Sequence, residues 1–178
     1  MDSQTLFFLF LILPLILISH PIPANTEPNS TLIAKVCNKT IDKAGCLAIL
    51  RSHPQILTAK NYLEFSRLAL ELAITKVTET QGFLKGLLKK NPSASIRYCA
   101  FFCYDEVVGS FKSALAELAE DFESSNYDAK VAGDGANDCQ TELSSERILD
   151  PAISSRNNET LLLSSITFAA TSFLQTCM

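Results

Sequence analysis

Apolar residues recur at three- and four-residue spacing through most of this chain, and nowhere do they alternate as in a half-buried strand. The spacing predicts a first long helix from about Thr58 to Lys90, with Phe65, Leu68, Ala69, Leu72 and Ala73 on one face. Gly82 and Gly86 weaken its second half, and Asn91-Pro92-Ser93 ends it. Ser93 or Ser95 caps a second helix reaching about Glu123, striped by Ile96, Cys99, Cys103, Val107, Phe111, Ala114 or Leu115, Leu118 and Phe122. Ser124-Ser125-Asn126 separates it from a third, Tyr127 to Leu143, rich in small residues: Ala129, Ala132, Gly133, Gly135 and Ala136. Small side chains allow helices to approach closely, so tight packing is expected there. After a loop from Ser144 to Arg156, Asn157 or Asn158 caps a last helix to about Gln175. Its stripe is Leu161, Leu162, Ser165, Phe168, Ala169, Ser172 and Phe173. The predicted fold is all-α: an antiparallel up-and-down four-helix bundle over 58–176, with a short Cys-bounded unit over 32–57 as an N-terminal appendage.

The N-terminus adds a compartment. Leu6 to Ile18 is apolar throughout, too short for a comfortable membrane span and of the length of a signal peptide's apolar core. Cleavage after Ala24 is expected, leaving 25–178 as one secreted domain with a polar leader over 25–31 and no membrane segment. The six cysteines, Cys37, Cys46, Cys99, Cys103, Cys139 and Cys177, then read as disulfide partners first. Three sequons fit the same compartment, at Asn29, Asn38 and Asn158. Early closure of a bridge at Cys37 competes with modification of Asn38.

Composition narrows the function. Of 178 residues, 47% are apolar and 19% charged, which is enough for a real core. The net charge of −4 is spread without a basic block, so nucleic acid is not an expected partner. A Cys-rich metal site is disfavoured, because there is no Cys-x-x-Cys and only His53 remains after signal cleavage. His53, before Pro54, reads as a solvated loop residue, and no second His serves a nucleophile–base pair. Gly133-Asp134-Gly135 is no phosphate loop, since no Lys-Ser/Thr follows. Asp105-Glu106 and Glu117, Glu120 and Asp121 read as a solvated helix face, and Lys85, Lys89 and Lys90 as complements to a helix C-terminus. No catalytic residue, metal or cofactor is expected.

Two short helices folded as a hairpin would bring Cys37 to Cys46. Cys99 and Cys103 lie one turn apart on one face, and an antiparallel neighbour presents Cys139 to either. Cys177 is free or pairs with whichever is left over. A saposin-like module is excluded by its shorter length and different Cys arrangement.

Val36-Cys37-Asn38-Lys39-Thr40, with the next Cys at 46, resembles the opening of the plant invertase inhibitor and pectin methylesterase inhibitor family. Tyr98-Cys99-Ala100 followed by Tyr104-Asp105-Glu106-Val107-Val108 is similar to that family's third-Cys region. Tyr127 to Asp134 leading to Cys139 is similar to its fourth, and Asn157-Asn158 with the apolar run from Leu161 to its last helix. The likeness spans nearly the whole mature chain and is nearest to the branch of pollen-type invertase inhibitors. It implies a helical hairpin joined to a four-helix bundle, and the pairs Cys37 with Cys46 and Cys99 with Cys139. It further implies a monomeric, extracellular or vacuolar inhibitor that blocks a pectin methylesterase or an acid invertase through exposed helix faces within 95–143. Three departures stand out. Cys103 occupies a place where the family usually has Tyr, and Cys177 is extra. A Pro-Lys-Phe tripeptide associated with invertase-directed members is absent before Cys139. That absence tilts the expectation toward pectin methylesterase, with invertase as the alternative and a non-inhibitory apoplastic protein as the other class.

Overall fold

The computed structural model describes residues 28–90 and 92–175. The expected signal segment 1–24 and Cys177 lie outside the described residues, as does the side chain of Asn29. Seven α-helices occur among the described residues: α1 (Pro28–Cys37), α2 (Lys43–Arg51), α3 (Tyr62–Lys90), α4 (Ala94–Tyr98), α5 (Tyr104–Glu117), α6 (Phe122–Ser145) and α7 (Pro151–Gln175). A 3-10 turn at Ile56–Thr58 precedes α3, and a π turn at Cys99–Cys103 joins α4 to α5 as one rod. No strand occurs among the described residues.

The four long rods form a ring in the order α3, α5, α6, α7. Short links make successive rods antiparallel. Leu70, Val77, Leu84, Tyr104, Val107, Phe111, Leu143, Ile153 and Leu163 fill the centre. A second cluster holds α1 and α2 against α3 and α7, with Val36, Leu50, Ile56, Phe65, Ile166 and Ala170 all within a few per cent of full burial. Cys37 and Cys46 close the α1–α2 hairpin with Cα atoms 5.5 Å apart. Asp42 caps α2 by accepting from the Gly45 N–H at 3.0 Å. The hairpin tip is pinned where the Ile41 N–H donates to Ser165 Oγ on α7, 3.1 Å away. A Cβ at Gly45 would crowd the capping Asp42 carboxylate and lie 2.8 Å from Leu162 Cδ2, so a larger residue there would have to move both side chains.

Several boundaries differ from the periodic reading, and the second rod ends at Glu117 rather than Glu123. The third rod begins at Phe122, not Tyr127, because Asp121 outcompetes the serines as cap: its carboxylate accepts from the N–H groups of Glu123 and Ser124, both at 3.1 Å. Ser124, Ser125 and Asn126 therefore lie inside α6, and Phe122 belongs to it. Ser125 Oγ donates to Ala114 O at 2.7 Å, while Asn126 Nδ2 donates to Phe168 O and Thr171 Oγ1 on α7. The last rod begins at Pro151, where Asp150 caps the N–H groups of Ala152 and Ile153 and a proline at the first helical position loses no bond. The first long rod begins at Tyr62, four residues later than expected, after Asn61 accepts from the Glu64 N–H at 2.9 Å. At the N-terminus α1 starts within the polar leader, at Pro28. The α7 stripe also differs. Leu163, Ile166, Thr167, Ala170 and Thr171 are buried, while Ser165, Phe168, Ser172 and Phe173 are half-buried. A rod between α6, α3 and the hairpin is buried on several sides, with Ser155 and Asn158 left exposed, so a single-stripe reading does not apply to it.

Candidate docking face

The face within 95–143 is built around the second disulfide. Ser93 caps α4 by accepting from the Ile96 N–H, and α4 then enters the π turn, in which the Tyr104 N–H reaches back five residues to Cys99 O. The extra residue re-phases the rod. Cys99, Ala100, Cys103 and Tyr104 all point inward, and Phe101 and Phe102 swing out together. Gln81 Nε2 on α3 supports the turn, donating to Ala100 O at 3.2 Å and bonding the Asp105 carboxylate. Cys99 is bridged to Cys139 on α6, with Cα atoms 4.8 Å apart. The two glycines of α6 set how closely the rods approach. A Cβ at Gly135 would stand 2.6 Å from Cys103 O, and one at Gly133 would stand 2.9 Å from Ser164 Oγ on α7.

Beneath the disulfide lies a buried polar node. Tyr104 Oη donates to Asn157 Oδ1 at 2.9 Å and lies 3.1 Å from Thr160 Oγ1, while Asn157 Nδ2 donates to Gln140 Oε1 at 3.3 Å. Burial pushes the Tyr104 phenol up to about 12. Asn157 was expected as a helix cap; it is fully buried and ties α5, α6 and α7 together. Cys103 is a buried free thiol, pushed up to about 12 mainly by burial and then by the charge of Asp138. It is therefore protonated and inert at neutral pH.

Above the disulfide the surface is aromatic. Tyr98, Phe101 and Phe102 are 38%, 49% and 59% exposed. Tyr98 and Phe102 stack with centroids 4.9 Å apart, and Lys85 Nζ lies 4.9 Å over the Phe101 ring. A shallow depression of about 270 Å³ beside Tyr98 is lined by Asp138, Thr141, Glu142 and Ser145. Partial desolvation raises the Tyr98 phenol, and Cys103 and the carboxylates of Asp138, Glu142 and Glu106 raise it further. Tyr127, 65% exposed, stands apart from this cluster, near the other end of α6, where Ser125 bonds Ala114 O. Clustered exposed aromatics on a rigid, cross-linked support are what a protein-docking surface requires. The periodic reading passed over Phe101 and Phe102 because they fall off the helical stripe. Two consecutive bulky apolar residues off the stripe were the available signal.

The remaining sequence-marked residues are placed elsewhere. His53 Nδ1 lies 2.8 Å from Ile49 O at the end of α2, in a different part of the molecule. Glu117 is raised by desolvation and by the neighbouring Asp128, and accepts from Ser113 Oγ at 3.4 Å. The Asp121 carboxylate is held below the usual range by its bonds to Ser124. Asn38 and Asn158 are exposed. Among the described residues no group of three or more His, Cys, Asp or Glu is placed to hold a metal ion, and no helix is long and apolar enough to cross a membrane.

A four-helix ring with a disulfide-closed hairpin and a second bridge across the bundle defines a class: a disulfide-stapled helical bundle. The family can be named as well. Residues 31–171 match the model of the plant invertase/pectin methylesterase inhibitor family, and the chain belongs to that family. Its members are inhibitor proteins, not catalysts, and are extracellular. No curated protein matches the sequence. Among solved structures, a mutant form of a pectin methylesterase inhibitor from Arabidopsis superposes with a TM-score of 0.70 at 20% identity, covering 79% of this chain and 95% of that one. A pectin methylesterase inhibitor from Arabidopsis thaliana gives 0.60 at 21% identity, covering 82% and 97%. At those identities the likeness is one of fold.

Proposed function

We propose that the chain is a secreted, monomeric, stoichiometric inhibitor of pectin methylesterase that acts in the apoplast by laying the α4–α6 face over the enzyme's substrate cleft. Residues 1–24 are removed as signal peptide, and 25–178 act as one domain. The observation that carries the reading is family membership across 31–171, joined to an exposed aromatic cluster within the helices expected to dock. A surface of roughly 800 Å² per partner suffices for a specific complex, and disulfides lower the ordering cost of presenting it. Acid invertase, of the wall or the vacuole, is the second target, favoured by the likeness to pollen-type invertase inhibitors. The absent Pro-Lys-Phe favours the first.

The test is titration of the purified protein against a pectin methylesterase and an acid invertase, with residual activity as readout. Dose-dependent loss of pectin methylesterase activity at near-equimolar ratio is expected. Loss of invertase activity instead assigns the second target, and no effect on either enzyme refutes inhibition. Phe102→Ala removes a ring that contributes nothing to the core and is expected to weaken inhibition about 30-fold, the effect of a hot spot of about 2 kcal/mol.

A further inference from the structure

We propose that Asn158 carries an N-linked glycan whose first N-acetylglucosamine seats in the cleft between the hairpin tip and α7. That cleft, of about 570 Å³, is lined by Ile41, Ile49, Leu161 and Leu162, with Asp42, Ser155, Asn158 and Glu159 around them. Its volume falls within the roughly 300–1,000 Å³ typical of small-ligand sites. Ile41 is 77% exposed, although its backbone is fixed by the bond to Ser165 Oγ. A large aliphatic side chain held in place but left in water is what the apolar face and acetamide methyl of a sugar cover well. Polar atoms of Ser155 and Glu159 stand at the same cleft, within the lining that a sugar's hydroxyls would face. Asn158 is itself exposed on this lining, so the attached sugar starts at the site and needs no search.

The chemistry sets an order of events. The Asn158 amide nitrogen bonds the anomeric carbon of a lipid-diphosphate-linked oligosaccharide. The bond from that carbon to the diphosphate oxygen breaks, the amide loses one proton, and the lipid diphosphate leaves. The transfer needs the hydroxyl of Thr160 alongside. In the folded protein that residue is 1% exposed, and its Oγ1 donates to Arg156 O at 3.0 Å and lies 3.1 Å from Tyr104 Oη. Transfer therefore precedes folding of α7, and the glycan then meets the hairpin as the bundle closes. Asn38 differs in that its sequon adjoins Cys37, whose bridge to Cys46 closes only nine residues and competes with transfer. Asn158 sits on α7, which lies diagonally across the ring from α5, so its glycan leaves Phe101 and Phe102 uncovered.

The full chain secreted from a plant or yeast host provides the test, independently of any target enzyme. Glycopeptide mass spectrometry is expected to show N-acetylhexosamine on Asn158. Hydrogen exchange of residues 39–45 is expected to rise several-fold in Asn158→Gln relative to the glycosylated protein, and to stay low when an endoglycosidase trims the glycan to one sugar. An unmodified Asn158 in the secreted chain overturns the site. Exchange unchanged in Asn158→Gln, or raised equally by trimming to one sugar, overturns the seating.

Discussion

Adding one methyl group at Gly135 tests the closeness of α5 to α6. A Cβ there would stand 2.6 Å from Cys103 O and 2.7 Å from Val107 Cγ2. The first contact is backbone, fixed by the π turn and by the Cys99–Cys139 bridge one turn along, so it does not rotate away. Against this, Gly to Ala inside a helix gains about 0.5–1 kcal/mol in backbone entropy. Overpacking a well-filled interface costs about 1–3 kcal/mol. The net expectation for Gly135→Ala is a loss of about 1–2 kcal/mol, which in a chain of this size lowers Tm by roughly 2–8 °C. Gly82 and Gly86 are internal controls, since a Cβ at either meets nothing within 4 Å. Gly82→Ala is expected to gain the full 0.5–1 kcal/mol with no clash. The assay is thermal and urea unfolding with disulfides intact, followed by circular dichroism. A Gly135→Ala variant as stable as Gly82→Ala would falsify the close approach, because propensity alone would then explain both.

Four further outcomes follow from the same contacts. Replacing Cys99 and Cys139 with alanine opens a bridge spanning 40 residues and is expected to cost about 4 kcal/mol by loop entropy, against about 2.6 kcal/mol for the 9-residue Cys37–Cys46 bridge; urea midpoints of the two double variants check the order. Tyr104→Phe strips a buried hydroxyl from Asn157 and Thr160 and is expected to cost about 1–3 kcal/mol, measured by the same midpoints. Cys103 is pushed up from 9.0 to about 12 in the folded chain, so its contribution is whole below pH 9 and is lost as pH rises toward 12. Unfolding midpoints should fall between pH 8 and pH 10.5, and Cys103→Ala should flatten that fall. The same thiol is expected to ignore disulfide reagents at pH 8 until denaturant is added; immediate labelling would contradict its burial.

Much of the fold was legible because a helix on a single core shows its stripe. Phe65, Ala69 and Ala73 on α3, and Cys99, Val107 and Phe111 on α4–α5, are buried as their spacing requires. The small residues of α6 also signalled close packing correctly, and Gly133 and Gly135 are where it is tightest. The misplaced starts at Phe122 and Pro151 share one cause. Ser, Asn and Asp all offer caps, and which one wins depends on where the preceding rod runs out of core to pack on. Asn126 and Asn157 have turn-like chemistry in sequence, yet both are consumed inside helices, Asn126 by partners 42–46 residues away and Asn157 by Tyr104, 53 residues away.

The sequence by itself determined the class of structure: helical periodicity, cysteines enough for two bridges, and no residue set for catalysis. Those follow from local spacing and residue chemistry, which need no knowledge of neighbours. Tertiary structure decided which of Cys99 and Cys103 is bridged to Cys139. Cys99 and Cys103 are four residues apart on the same face, and only the π turn and the approach of α6 decide that Cys139 meets the first. It also fixed how Phe101 and Phe102, which the stripe already leaves outside the core, are held, because the π turn and the Gln81 bond to Ala100 O set where they stand.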